Sequence, residues 1–195
     1  MARGSRQPLR PAGGEAAPLA AVRALATELL AAPWFAACGE KLTETERADV
    51  RRYLAELDLP ASPVVDVAGW SNAAAVTQRP DWSQDWWAAE ERAARALQER
   101  ASASLGEAAL LAALSEVTEA ATSLHGHAAL ACARAGVADP ALSRVAAGAA
   151  ALACHQMGLV RAAGAGEDHP LAIKYRLSAG GRWLLGVVGG SCYLF

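Results

Sequence analysis

Apolar side chains recur at helical spacing through most of the chain, and local helix-start and helix-stop residues divide this pattern into segments. Two helices are predicted in residues 15–58. The first has Pro18 in its first turn and stops at Pro33. The second begins after Thr43, whose spacing from Glu46 matches a capping box.

The pattern then changes in residues 59–81, where proline and glycine interrupt the chain repeatedly. A connection of this length without secondary structure is uncommon. We therefore expect a short strand at residues 64–67 and a helical turn at residues 72–77. A third helix is predicted to start near residue 81, and its charged residues, Glu90 among them, are expected to form a solvated face.

Two longer helices follow. Ser104 and Glu107 have capping-box spacing and predict a helix over residues 105–135. Asp139 then caps a last helix, with proline at its first position, that runs over residues 140–163. The short connection between the two predicts an antiparallel helical hairpin.

Beyond residue 166 the spacing of apolar residues changes from every three or four positions to every second position. Bulky and small or charged residues alternate over residues 171–177, which predicts a half-buried strand carrying Lys174 on its polar side. Residues 182–188 and 192–195 are predicted as further strands. Together they suggest a small antiparallel β-meander that closes the protein.

The predicted fold class is therefore mainly α, a bundle of about five helices with a long antiparallel hairpin followed by a β-meander. Its organisation is a disordered basic tail at residues 1–14, a helical bundle at 15–165 and a meander packed on the bundle at 166–195.

Composition narrows the possible functions. The chain has 195 residues, of which 50 are alanine, and a net charge of -2. This balance argues against a nucleic-acid-binding protein, and no apolar stretch is long enough for a membrane span. Four widely spaced cysteines without a Cys-x-x-Cys pair indicate reduced thiols and a cytoplasmic location; they are Cys38, Cys132, Cys154 and Cys192.

Acidic and histidine side chains offer a metal-binding hypothesis. Glu116, Glu119 and His127 fall on one face of the predicted 105–135 helix, as in the carboxylate–histidine sites of helical bundles. That face is opposite the apolar one, which favours a solvated surface instead. No cofactor is predicted, and a metal ion is retained only as an alternative.

Catalytic candidates are three histidines. His125 lies at the edge of the apolar face of its helix, and His155 flanks the apolar face of the next. His169 follows an aspartate that could orient its ring. Each also has a structural interpretation, as a hydrogen-bonded core residue or a turn residue, and whether the protein is an enzyme is left open.

Ligand-binding candidates are aromatic and polar. Trp82 and Trp86 are four residues apart and share one helix face, while Trp87 points elsewhere. Gln156 lies on an apolar face, where its amide needs hydrogen-bond partners. Arg182 belongs to a basic group with Lys174 and Arg176 that suits a carboxylate or phosphate, or alternatively protects a sheet edge.

Three functions remain. The first is a protein that acts through protein association as an accessory or scaffold, with a partner protein or as a homo-oligomer. The second is a small-molecule-binding protein or enzyme with a pocket around His125, Gln156 and Trp86. The third is the metal-binding bundle. No phosphate-binding glycine loop, nucleophile elbow or zinc-ligand spacing occurs in the sequence.

Overall fold

The computed structural model describes residues 16–195, which fold into eight helices and three strands. The predicted basic tail at residues 1–14 lies outside the described residues. The helices are α1 (Ala17–Ala31), α2 (Glu44–Glu56), α3 (Trp70–Thr77), α4 (Gln84–Leu105), α5 (Glu107–Ala121), α6 (Leu124–Arg134), α7 (Pro140–Ala162) and α8 (Pro170–Ala179). The strands are β1 (Val64–Asp66), β2 (Leu184–Val188) and β3 (Ser191–Leu194).

The mainly helical fold with a small sheet is confirmed, and so are several helix starts. Thr43 and Glu46 form the predicted capping box at α2, where the Thr43 hydroxyl accepts a hydrogen bond from the Glu46 amide. Asp139 caps α7 by accepting from the backbone amides of its first turn. These starts were predictable because the residues that satisfy the first amides of a helix are local in sequence.

The predicted helix over residues 105–135 is wrong, because it is two helices. The backbone tightens at Thr122 and Ser123, whose hydroxyls donate to the carbonyls of Glu119 and Ala120 and compete with the helical hydrogen bonds. The capping box of Ser104 with Glu107 is also absent, because the Ser104 hydroxyl bonds back to a carbonyl in α4. The chain therefore contains eight helices in the described part, rather than about five.

The predicted strand at residues 171–177 is wrong as well, because these residues lie in α8. Eight of the ten residues of α8 are buried, so the helix has no polar face to reveal its 3.6-residue period. His169 and Pro170 nevertheless mark its start, because the His169 ring accepts a hydrogen bond from the Leu171 amide.

The sheet is mixed, which corrects the antiparallel meander. Its strand order is β1–β3–β2, with β3 parallel to β1 and antiparallel to β2. β1 comes from the proline-rich segment at residues 59–81, so the sheet joins two distant parts of the chain. Such long-range pairing cannot be read from turns between neighbouring strands.

Two groups of buried apolar side chains form the core. The larger one centres on α7, which packs against α1, α4, α5, α6 and α8. The smaller one lies between α2, α4, α8 and the sheet, and includes Tyr53, Trp86 and Ile173. The N-terminal half of α4 and the middle of α8 therefore lie between the α7-centred core and the sheet.

Candidate functional site

A cavity of about 500 Å³ opens between α3, α4, α7, α8 and β2. Its floor consists of buried residues, among them Trp86, Lys174 and Leu184. Its mouth is lined by Trp87, Val145 and Leu152, whose side chains are exposed. The lining is mostly apolar, and a concave apolar site with few polar groups is the usual form of a small-molecule site.

Three tryptophans form one cluster at this cavity. The rings of Trp86 and Trp87 have centroids 4.6 Å apart, and the ring of Trp82 is stacked 6.3 Å from that of Trp86. Trp82 precedes α4 and pairs with Val188 of β2, so it is not on the helix face that the sequence predicts. Trp87 faces the same cavity instead of pointing elsewhere.

Lys174, which lines the cavity, forms a buried ion pair with Glu90. The Lys174 ammonium donates to both carboxylate oxygens of Glu90, each at 2.7 Å, and the two side chains are 6% and 3% exposed. The Glu90 carboxylate also accepts from the Tyr53 hydroxyl, which in turn accepts from the Trp86 indole at 2.6 Å. These four side chains form one continuous hydrogen-bonded network.

The charges of this network cancel. Burial raises the pKa of Tyr53 well above its ordinary value, and the neighbouring Glu90 carboxylate raises it further. The phenol therefore stays neutral and keeps its proton to donate to Glu90. Burial, with Glu90 again contributing, raises the pKa of the nearby Cys192 thiol to about 12. Lys174 and Glu90 thus face each other as one cation and one anion among neutral groups.

The ammonium retains one unused donor. Among residues 16–195, Lys174 bonds only to Glu90 and lies 5.9 Å from the centre of the Trp86 ring. A ligand in the cavity could therefore present a hydrogen-bond acceptor to an N–H group while its apolar part contacts the tryptophans. An ammonium has three donors, of which Glu90 occupies two.

The structure places the predicted ligand-binding residues in different surroundings. Trp82 and Trp86 line the cavity. Gln156 is buried as predicted, and its Oε1 has no hydrogen-bond partner among the described residues, but it is not part of the cavity lining. Arg182 is fully engaged, because it pairs with Glu46 and donates to three carbonyls. It holds the 37–41 segment against the start of α2.

The predicted catalytic histidines are not brought together at the cavity. His125 is exposed and contacts the Thr122 carbonyl at 3.4 Å. His155 lies on α7, and burial lowers the pKa of its ring. His169 caps α8, and burial with the charge of Arg100 lowers its pKa. The catalytic role of these side chains stays a prediction.

The metal hypothesis gains no support from the geometry. Glu116 on α5 pairs with Arg23 at 2.9 Å, while His127 lies on α6 after the break in the predicted helix. In the part of the chain that the structure describes, no three histidine, cysteine, aspartate or glutamate side chains are grouped to hold a metal ion. The set of Glu116, Glu119 and His127 remains a prediction.

Sequence reasoning missed the polar half of the site. The sequence pattern places Glu90 on a solvated face and Lys174 on the polar side of a strand. One signal was available: Lys174 is the only charge in the first six residues of a segment that starts with proline directly after His169, the cap and first residue of a helix. Glu90, the partner of Lys174 on α4, has no local sequence signal that marks it as buried.

Comparison with protein-family models, curated proteins and solved structures finds no match for this chain. None of the helices within residues 16–195 combines the length and the apolar character that crossing a bilayer requires. The functional argument therefore rests on the site itself.

Proposed function

We propose that the protein binds a small, largely apolar and uncharged molecule in the tryptophan-lined cavity. The observation that carries this proposal is that Lys174, paired with the buried Glu90, lines a mostly apolar cavity. Moving two charges out of water is costly in free energy. Such a pair is expected where a binding site needs one directed polar contact with its ligand.

The charge of the pair favours a neutral ligand. An anionic group near Lys174 would also approach Glu90, whose carboxylate accepts two bonds from the same ammonium. Its attraction to the lysine would be offset by repulsion from the glutamate. A carbonyl or ether oxygen avoids this repulsion and still accepts the remaining N–H. The three tryptophans favour a flat ring system as the apolar part.

Gly148 provides a direct test of the cavity. It lies on the cavity lining in the middle of α7, and a Cβ added there would meet nothing within 4 Å. We expect Gly148→Leu to fill part of the cavity and to weaken binding of prodan, a neutral naphthyl ketone whose fluorescence reports polarity. The expected loss is about tenfold or more, equivalent to about 1.4 kcal/mol. Fluorescence titration measures it.

The matched control is Gly148→Ala. It adds one methyl group and should raise the free energy of unfolding by about 0.5–1 kcal/mol, since alanine favours a helix over glycine. Prodan affinity should stay within about twofold, a difference well below 1.4 kcal/mol. His125 is not among the residues that line the cavity, so His125→Ala should also leave affinity unchanged. Equal affinities for the Leu and Ala variants, or no prodan binding by the parent protein, would contradict the proposal.

Protein association is a second candidate function, and the cavity mouth supports it. Trp87, Val145 and Leu152 are 46%, 51% and 41% exposed and lie around one opening. Large apolar side chains grouped on a surface are typical of interaction sites. On this view, an apolar side chain from a second copy of the chain enters the cavity.

Light scattering coupled to size-exclusion chromatography tests this association. A dimer that dissociates in Val145→Asp would support it, because a buried carboxylate at the interface is costly. A parent protein that stays monomeric at all loading concentrations would contradict self-association and leave small-molecule binding as the remaining proposal. The cytoplasmic location stays a prediction.

A further inference from the structure

We propose that Lys174 forms a reversible imine with an apolar aldehyde bound in the cavity. This inference rests on the proposed binding function and names its ligand class. It goes further because it assigns a covalent chemistry to one side chain. The site joins a lysine amine, a carboxylate and an apolar compartment, which are the parts that imine formation needs.

The geometry supplies both the nucleophile and a proton carrier. Each oxygen of Glu90 lies 2.7 Å from the Lys174 nitrogen, within direct proton-transfer distance. The lysine lines the floor, where a carbonyl group would meet its free N–H, and Trp86 lies beside it. Glu90 also accepts a hydrogen bond from the Tyr53 hydroxyl, which helps to keep its carboxylate beside Lys174.

The step balances within these groups. Glu90 accepts a proton from the ammonium, and the amine lone pair forms a C–N bond with the aldehyde carbon. The carbonyl oxygen takes that proton from Glu90, which gives a protonated carbinolamine. Glu90 then removes a second proton from nitrogen and delivers it to the hydroxyl group. Water leaves, and the nitrogen lone pair completes the C=N bond of a protonated imine.

The products preserve the charges of the buried site. One cation, Lys174, becomes another cation, the protonated imine, and Glu90 ends as the carboxylate. No charge is left without its partner at either end of the reaction, which matters because an unpaired buried charge is strongly unfavourable. The apolar walls also limit the access of water, and water is what reverses the reaction.

Two lysines make the experiment selective, because the chain contains only Lys41 and Lys174. The protein is incubated with 6-methoxy-2-naphthaldehyde and sodium cyanoborohydride, which reduces an imine to a stable secondary amine. Peptide mass mapping then locates the label. We expect Lys174 to be labelled at least about tenfold faster than the exposed Lys41, since positioning and proton transfer assist only the former.

Variants separate the chemistry from binding. Lys174→Arg keeps a cation opposite Glu90 but forms no imine, so labelling at this position should disappear. Lys41→Arg should leave labelling of Lys174 unchanged. Gly148→Leu should slow labelling of Lys174 and not of Lys41, and it provides a test that does not alter the ion pair.

The outcomes distinguish this inference from the proposed function. Prodan binding without preferential labelling of Lys174 would overturn the imine and leave the binding proposal intact. Absence of both would overturn both. Labelling of Lys174 that Gly148→Leu leaves unchanged would also overturn it, because the aldehyde would then reach the lysine by another route.

Discussion

Lys174→Met is expected to lower the free energy of unfolding by about 3–5 kcal/mol, the range measured when one partner of a buried ion pair is removed. The loss does not come mainly from the attraction between the two charges. It comes from Glu90, which is 3% exposed and would remain in the interior without a cation. Urea unfolding followed by circular dichroism measures the change.

A double variant tests this explanation. When Glu90→Gln accompanies Lys174→Met, no charge remains, and the glutamine oxygen can still accept from Tyr53. We expect the double variant to recover most of the stability, to within about 1–2 kcal/mol of the parent, because buried ion pairs contribute little over neutral replacements. A double variant that is less stable than both single variants would contradict the explanation that an unpaired buried charge causes the loss.

The adjacent residue gives a matched control. Glu91 on the same helix pairs with Arg95, but both side chains are about two-thirds exposed. Glu91→Gln should therefore change stability by no more than about 0.5 kcal/mol. Breaking the buried pair through Lys174→Met and breaking the exposed pair through Glu91→Gln are thus expected to differ severalfold in effect, because only the first leaves a buried charge without a partner.

The contrast between Glu90 and Glu91 also shows which features of the fold and the site could be predicted from the sequence. Thr43, Glu46, Asp139 and the tryptophan-rich start of α4 carry local signals, because caps and aromatic density act over a few residues. Glu90 and Glu91 look alike in sequence, and Lys174 lies 84 residues from Glu90. Only the packing of α4 against α8 decides which glutamate is buried.

The pairing of the strands and the helical conformation of α8 could not be predicted, for a related physical reason. An element buried on all sides shows neither a polar face nor a clean period, so α8 resembled a strand. The parallel pairing of β1 with β3 joins residues more than 120 positions apart. The part of the cavity built by α8 and β2 therefore needed the structure, whereas Trp82 and Trp86 could be named as ligand-binding candidates from the sequence.

Gly186→Ala should have the second large effect, a loss of about 2–4 kcal/mol, because two unfavourable contributions combine. Gly186 in β2 has a φ of +130°, a conformation that residues with a side chain rarely adopt. A Cβ there would also lie 2.5–3.0 Å from three atoms of the Trp86 ring. The ring would have to move, and with it the indole N–H that bonds to Tyr53.

Gly190 separates the two contributions. It follows in the same hairpin with a φ of +76°, but a Cβ there would meet nothing within 4 Å. Gly190→Ala should therefore show the backbone strain alone, about 1–2 kcal/mol, and leave prodan binding unchanged. The additional loss in Gly186→Ala contains the contact with Trp86 and the greater strain of its φ of +130°.

A second substitution assigns that additional loss to the ring. In a Trp86→Leu background the ring atoms that meet the new methyl group are absent, so Gly186→Ala should cost less than it does in the parent protein. A coupling of about 1–2 kcal/mol between residues 86 and 186 is expected from the double-mutant cycle. Additive effects would mean that Gly186 is needed only for its backbone conformation. Coupling would instead show that this glycine holds the indole against the Tyr53–Glu90–Lys174 network, linking the strand to the proposed site.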